Sequence, residues 1–320
     1  MTAEGELDYI GIDVFDGTPF YEALTNNEEN WENNLLYWGN AVMSCNKQEI
    51  GPPVFKAKTR LIAGEAFAGS KMSSINIPEG VISIGDQAFF ASKATEIILP
   101  STVINLGKQL FLGEGDSLKN FNLKKVVIKG PVELPMQTFW RCVALEEADL
   151  SGSTVIPSRA FEECDNLTTL ILGENLIKID PNDNYYTFGE CEKLQTVYYK
   201  GTPESWANID FSSWRSSPGC GSKGYDLYCN NILLTELTLT EDIKPYVFAY
   251  CKSLKKVTIN EDINIGEDTF AGTKIAEIEF GENVTSIVGN NSFGSSFTKV
   301  ILGSNIRTIT KGAFFNYSEK

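Results

Sequence analysis

The side chains of this sequence that could do chemistry are seven cysteines and an excess of acids, because the chain contains no histidine. Without imidazole there can be no triad with a histidine base, no HExxH zinc site and no 2-His-1-carboxylate iron site. Thiolate remains as a nucleophile or metal ligand, but its spacing points elsewhere. Cys142, Cys164, Cys191 and Cys251 each follow a phenylalanine by three residues, after Phe139, Phe161, Phe188 and Phe248. The same slot holds Thr18, Ser70, Ser92, Thr273 and Ser296 elsewhere. A slot that accepts Ser, Thr or Cys selects a small, weakly polar side chain, so these four cysteines read as buried thiols. Cys220 and Cys229 stand outside the slot and are the candidate disulfide, in an oxidising compartment. No CxxC pair is present to hold zinc. The stretch Asp180-Pro181-Asn182-Asp183-Asn184 begins like a calcium loop, but Tyr185 takes the glycine position and Cys191 replaces the bidentate glutamate. There is no Walker loop and no GxGxxG. A carboxylate pair for glycoside hydrolysis is available by residue type, but acids on an open repeat face lack an enclosing cleft. The expectation is a chain with no catalytic site, no metal and no cofactor.

The phenylalanines that define the cysteine slot also define the fold. They fall at Phe15, Phe67, Phe89, Phe111, Phe139, Phe161, Phe188, Phe248, Phe270, Phe293 and Phe314, and six of the ten gaps are 21 to 23 residues. Self-similarity at such a period predicts a solenoid of stacked repeats, one continuous domain over residues 1–320. In Ile84 to Leu106, Glu96-Ile97-Ile98-Leu99 alternates and meets Pro100, which reads as a short strand. Val103 and Leu106, spaced i, i+3, read as a turn into the next rung, and Gly85 marks a reversal. About eleven rungs at ~4.8 Å per strand would make a rod roughly 50 Å long.

The same frame aligns strands beginning at Ser74, Glu96, Lys125, Glu147, Thr169, Thr196, Glu236, Lys256, Glu277 and Lys299. Second and fourth positions are apolar and face the core; first and third face solvent. The first column alternates in sign, Glu96-Lys125-Glu147 and Glu236-Lys256-Glu277-Lys299, which sets register and solubility. The third-position column runs Asn76, Ile98, Val127, Asp149, Ile171, Tyr198, Thr238, Thr258, Glu279, Ile301. Ile98, Val127, Ile171 and Tyr198 are apolar where water is expected. Such a cluster either marks a partner site or reflects the liking of strands for β-branched residues.

Two insertions interrupt the period, at about 18–60 and 200–235, with a shorter bulge at Gly115 to Lys124. Each begins with a capped short helix, Thr18-Pro19 and Thr202-Pro203. Each contains a hairpin with a two-residue turn, Gly39-Asn40 and Asn230-Asn231. Trp31, Trp38, Trp206 and Trp214 lie in these insertions. Trp38 and Trp206 read as core caps where the regular phenylalanine is missing. Trp31 and Trp214, in polar loops, are candidate ligand contacts.

Formal charge is −15, from 27 basic and 42 acidic residues. That balance argues against nucleic acid and against unaided docking on anionic lipid. No apolar run reaches the roughly 18 residues of a membrane span, and the first residues lack the charged and apolar regions of a signal peptide. The chain starts and stops inside repeats, so it reads as a piece of a longer protein, with export signal and anchor elsewhere. Sequons at Asn166, Asn283, Asn290 and Asn316 matter only in a secreting eukaryote.

The run Ile77-Pro78-Glu79-Gly80-Val81-Ile82-Ser83-Ile84-Gly85-Asp86-Gln87-Ala88-Phe89 resembles the signature of BspA-like leucine-rich repeat proteins, known from treponemes and oral bacteria. Val247-Phe248-Ala249-Tyr250-Cys251 through Ile259 resembles it too, and the insertions look like those in surface proteins of gut Firmicutes. The pattern departs where spacing stretches or the proline is lost. The resemblance implies a leucine-rich repeat solenoid: a right-handed superhelix of short parallel strands with short helical turns. It also implies a non-enzymatic protein at the cell surface, linked with adhesion to host matrix proteins and epithelial cells. The resulting expectation is an extracellular, monomeric binding module for a host protein or glycan, with no nucleic-acid partner and no direct membrane insertion. The alternative is a structural spacer within a larger surface protein.

Overall fold

A computed structural model describes residues 7–180, 185–220, 223–288, 293 and 296–314. Most of the stretch read as a failed calcium loop, and the sequons at Asn290 and Asn316, lie outside the described residues. The repeating unit has three parts: a strand of three or four residues, a second strand of two or three, and a compact turn that carries the phenylalanine. The first strands form an eight-stranded sheet, with Ser74–Asn76, Glu96–Leu99, Lys125–Ile128, Glu147–Leu150, Thr169–Leu172, Thr196–Tyr199 and Asp226–Cys229 in parallel register. Ile232–Leu233 closes it as an antiparallel edge. Glu236–Leu239, Lys256–Ile259, Glu277–Phe280 and Lys299–Ile301 form a separate parallel sheet.

Two readings of the sequence change here. Asp226–Cys229, expected only as a hairpin arm, is a full rung: Thr196 pairs with Asp226, not with Glu236. The hairpin turns at Asn230 and Asn231, both at positive φ (47° and 64°), as a two-residue turn with primed geometry requires. Leu106 is also not in a turn. Asn105–Leu106 pairs with Ser83–Ile84, which pairs with Leu61–Ile62, as a second short ladder. The first insertion's hairpin, Leu35–Trp38 with Ala41–Cys45, adds to that ladder at its N-terminal end.

The phenylalanine turns are not helical. In the Phe89 turn the N–H groups of Gln87, Phe89 and Ala91 donate to the carbonyls of Lys108, Leu110 and Leu112 in the next rung, at 2.9, 3.2 and 2.7 Å. Between them, Phe90 and Ser92 donate back to Gln87 and Phe89 within the rung. Gln87 and Ala91 sit at φ 55° and 54°. A left-handed residue on either side of the phenylalanine turns alternate N–H groups along the solenoid axis, whereas an α-helix would use those donors internally. The pattern recurs at Gln137 and Arg141, Arg159 and Glu163, and Tyr246 and Tyr250. Each non-glycine residue held there costs on the order of 1 kcal/mol, which the inter-rung bonds offset.

The rings of successive turns stack. Phe67, Phe89, Phe111, Phe139, Phe161 and Phe188 are fully buried, with centroids 5.9, 5.6, 5.2, 5.0 and 5.5 Å apart and interplanar angles of 20° or less. The stack resumes at Phe248, Phe270 and Phe293. Trp206, fully buried in the second insertion, donates its indole N–H to the Val247 carbonyl at 2.8 Å, and Tyr199 and Phe211 pack on its ring. Phe15 is not in the stack. It packs edge-on against Phe20 and Trp38 at the N-terminal cap. Gly85 serves close approach, not reversal: a Cβ there would strike the backbone of Gly64 and Ile10.

The cysteine slot has a physical reason. Cys142, Cys164 and Cys191 thiols donate to the carbonyls of Phe111, Phe139 and Phe161 in the preceding rung, at 3.7, 3.1 and 3.0 Å, so the slot adds a side-chain tie between neighbouring turns. The capped helices form at Pro19–Asn26 and Pro203–Ala207, with Thr18 and Thr202 accepting from Tyr21 and Ser205.

Phe139→Ala removes a ring stacked on both faces and should cost about 3–5 kcal/mol. Phe15→Ala, outside the stack, should cost less than half as much. Chemical denaturation of the two variants beside the parent checks both; equal losses would show that the stack carries no special share of the stability.

Candidate functional site

Register in the eight-stranded sheet places one third-position residue from each strand in a row: Asn76, Ile98, Val127, Asp149, Ile171, Tyr198, Tyr228, Leu233. Ile98, Val127, Ile171 and Tyr198 therefore lie on one face, as the alternation predicts. Val127 is only 9% exposed, less than its position implies, while Ile98, Ile171 and Tyr198 are half-buried. The row continues where the sequence reading turned to Thr238. Tyr228 stacks obliquely on Tyr198, ring centroids 4.8 Å apart. Opposite it, Leu233 is 38% exposed on the same face. Tyr228 and Leu233 were missed because their strands were read as a protruding hairpin. The signal that finds them is the alternation of Asp226-Leu227-Tyr228-Cys229, which has the same form as Thr196-Val197-Tyr198-Tyr199.

Charges flank the row. Lys125 reaches Glu96 at 3.8 Å and Glu147 at 3.1 Å; Lys256 and Lys299 both reach Glu277, at 3.0 and 2.8 Å. These exposed pairs define register more than they add stability. Their hydrogen bonds hold the Lys125 and Lys256 ammonium groups above the usual lysine range and Glu277 below the carboxylate range. A second set of carboxylates clasps neighbouring rungs. Glu79 accepts from Ser101, Asp242 from Asn264, Asp262 from Thr285 and Ser286, and Glu282 from Ser304. Those hydrogen bonds lower all four carboxyl pKa values.

The loop tryptophans do not join the row. Trp31 is in a short strand pairing with Leu36, half-buried, its indole N–H on the Thr25 carbonyl at 2.9 Å. Trp214, 37% exposed, opens a one-turn 3₁₀ segment and packs edge-on against Tyr186 beside the phenylalanine turns. The Cys220–Cys229 bridge is not formed: all seven cysteines are thiols. Cys229 is the inward fourth residue of its strand and buried, whereas the Cys220 thiol donates to the Arg215 carbonyl at 3.4 Å. Among the described residues no group of three acids or cysteines is placed to hold a metal ion, and no helix is long and apolar enough to cross a membrane.

Residues 41–129, 60–195, 132–216 and 224–320 match the model of the BspA type leucine rich repeat region, six copies in all. The chain belongs to this family. Repeat regions of this kind act in binding or as structural arrays. Solved structures with a similar chain path include a leucine-rich repeat protein of Bacteroides ovatus, 18% identical, covering 84% of this chain and 78% of that one, with a TM-score of 0.40. A leucine rich cell surface protein of Faecalibacterium prausnitzii is 12% identical over 88% of this chain and 94% of that one, with a TM-score of 0.29. The leucine rich repeat protein of T. pallidum is 17% identical over 74% and 78%, with a TM-score of 0.27. No curated protein matches the chain.

The clasping carboxylates have folded pKa values below their unfolded ones, so their stabilisation is complete above the ordinary carboxylate pKa of about 4 and is lost as pH falls through the lowered values. The melting temperature of this repeat region should hold from neutral to about pH 5 and fall steeply below about pH 4. A flat profile down to pH 2 would contradict the clasp. Burial pushes the Cys45 thiol up to about 11 and the Cys229 thiol to about 12, and raises Cys142, Cys164, Cys191 and Cys251 as well. A thiol reagent at neutral pH should find Cys220 first and seven thiols after denaturation, not the five that a Cys220–Cys229 bridge would leave.

Proposed function

We propose that this BspA-type repeat region is a non-enzymatic binding module displayed outside the cell, which recognises a host protein or glycan through the row Ile98, Val127, Ile171, Tyr198 and Tyr228. The observation that carries this reading is the Tyr198–Tyr228 pair, with Leu233 exposed beside it on the same face of the sheet. Tyrosine supplies large contact area with a polar tip and is favoured at the centre of interfaces. A flat row without an enclosing cleft suits a protein surface better than a small molecule. The strongly acidic balance favours a partner whose contact surface carries basic residues.

A second reading is a structural spacer, and one observation favours it: a single buried cluster runs from Leu35 to Ala313, so the rungs share one continuous core. The readings separate by experiment. Purified chain is tested at physiological salt against immobilised fibronectin, fibrinogen, collagen and a glycan panel. Under the binding reading, saturable binding weakens at least about tenfold in a Tyr198→Ala, Tyr228→Ala variant of unchanged melting temperature, and also in Ile171→Glu. Absence of binding across the panel, or affinity indifferent to these changes, moves the chain to the spacer reading.

A further inference from the structure

Inside a stack of rungs each strand pairs on both edges, but Glu236–Leu239 pairs on one only, with Lys256–Ile259. Elsewhere the residue after each first strand donates its N–H back to the rung before. Lys200 donates to Leu172, Asn230 to Tyr199, Asn260 to Leu239 and Gly281 to Ile259, at 2.9, 2.9, 3.0 and 2.8 Å. Thr240 holds the same place and, among the described residues, has no acceptor. The start of the strand is open too. Asp226 donates to Gln195 at 2.8 Å and Lys256 to Thr235 at 3.2 Å, so Glu236 would use the Tyr225 carbonyl. That carbonyl accepts from Lys252 instead, at 2.9 Å. Ile232–Leu233, returning antiparallel, has taken the edge of Asp226–Cys229. Alternate residues of a strand turn their N–H and C=O to opposite edges. The carbonyls of Thr235 and Leu239 accept from Lys255 and Asn260, so Glu236 and Thr238 face the break. Glu236, Thr238 and Thr240 are all exposed. A row of unpaired N–H and C=O groups is a template for another strand.

The break has its own pocket and its own charge. Between the helix Pro203–Ala207 and the strand lies a cavity of about 130 Å³, lined by Ala207, Leu239 and Ile243 and by the acids Glu204, Glu241 and Asp242. Among the described residues Glu204, Glu236 and Glu241 form no ion pair. Lys256, the register partner of Glu236, is taken by Glu277 and Glu279 at 3.0 and 2.6 Å. Asp242 is hydrogen-bonded by the neutral Asn264. Lys244 ends on the Asn208 carbonyl at 2.7 Å rather than on a carboxylate. Unlike the Glu96–Lys125–Glu147 ladder, this stretch of surface therefore holds negative charge that the fold leaves unmatched.

We propose that the open edge of Glu236–Leu239 is a docking site for an extended, basic segment of a partner protein, which adds as a strand. Main-chain hydrogen bonds to Glu236, Thr238 and Thr240 would supply affinity, and side chains on one face of the added strand would supply selectivity. A lysine or arginine suits the cavity, with its apolar stem against Leu239 and Ile243 and its charged head among Glu204, Glu241 and Asp242. The same acids disfavour a second copy of this chain, which would bring Glu236 against another acidic surface. The site is the edge of the second sheet, not the outward face that carries the Tyr198–Tyr228 row.

The test uses the whole chain and two probes, an alternating lysine–threonine octapeptide and its glutamate–threonine counterpart, at about 150 mM salt. The basic peptide is expected to bind saturably and the acidic one not at all. A third peptide, the basic one with alternate backbone nitrogens methylated, keeps its charge and loses its strand donors; it should bind at least about tenfold more weakly. Thr238→Pro removes one open donor and sets a ring on the edge, without removing a bond to Lys256–Ile259. It should weaken the affinity at least about tenfold at unchanged melting temperature, as should Glu236→Gln with Glu241→Gln at two exposed side chains. Amide exchange reads the edge directly. In the free chain the Glu236, Thr238 and Thr240 amides exchange fast beside protected Leu237 and Leu239, and the basic peptide slows them. Protection already present in the free chain overturns the proposal, as do absence of peptide binding and equal binding of the methylated peptide. A dimer in light scattering that Thr238→Pro abolishes overturns it in favour of a second copy. Tyr198→Ala, Tyr228→Ala leaves peptide binding unchanged, so failure here leaves the sheet-row reading standing.

Discussion

Rungs stacked at strand spacing, ~4.8 Å, place every residue of a rung against its own counterpart in the next. Whatever occupies a position must therefore tolerate a copy of itself, or a chosen complement, directly above and below. Aromatic rings satisfy this by stacking, as the run from Phe67 to Phe188 does. Charges satisfy it only by alternating, as Glu96, Lys125 and Glu147 do. Backbone satisfies it by turning its N–H groups along the axis. In the strands that is automatic, and in the turns it takes left-handed residues at alternate positions.

That constraint also explains where the repeat can vary. Residues pointing inward, or held between two turns, are bound by their neighbours, and they recur: Phe, then Ser, Thr or Cys three later. Outward positions are released, and there the chain carries its individuality. The sheet row changes from Asn76 through aliphatics to the Tyr198–Tyr228 pair. The turn side changes from glutamine and small residues to tryptophan, tyrosine and arginine over three rungs. Both surfaces culminate around the second insertion, which adds a rung, a hairpin edge and the Trp214 segment at one place.

The second insertion is also where the main sheet ends and a new one starts, with Trp206 and Tyr225 fully buried at the joint. Trp206 ties the insertion to the turn that restarts the phenylalanine stack, its indole N–H on the carbonyl of Val247, the residue before Phe248. The insertion is thus structural on its inner side and available for recognition on its outer side.

Much of the architecture was legible in the residues alone. The period near 22 set the solenoid, the alternation set the strands and their outward columns, and the threonine-proline pairs set both helix starts. These are local or strictly periodic signals, and stacking copies them from rung to rung. What the sequence could not decide is what depends on which rung lies next to which. Asp226–Cys229 became a rung because Thr196–Tyr199 had an open edge to fill, and that moved Tyr228, not Thr238, beside Tyr198. Phe15 is left out of the stack, whose end at Phe67 is met by Phe55, edge-on at 6.0 Å. Cys229 stayed a thiol because its strand turned it inward, away from Cys220. Trp214, Tyr186, Arg215 and Arg159 came together from distant segments through packing alone. Periodicity determines the rung; the tertiary contacts at the interruptions determine which side chains share a surface, because only there is a residue's neighbour something other than its own repeat.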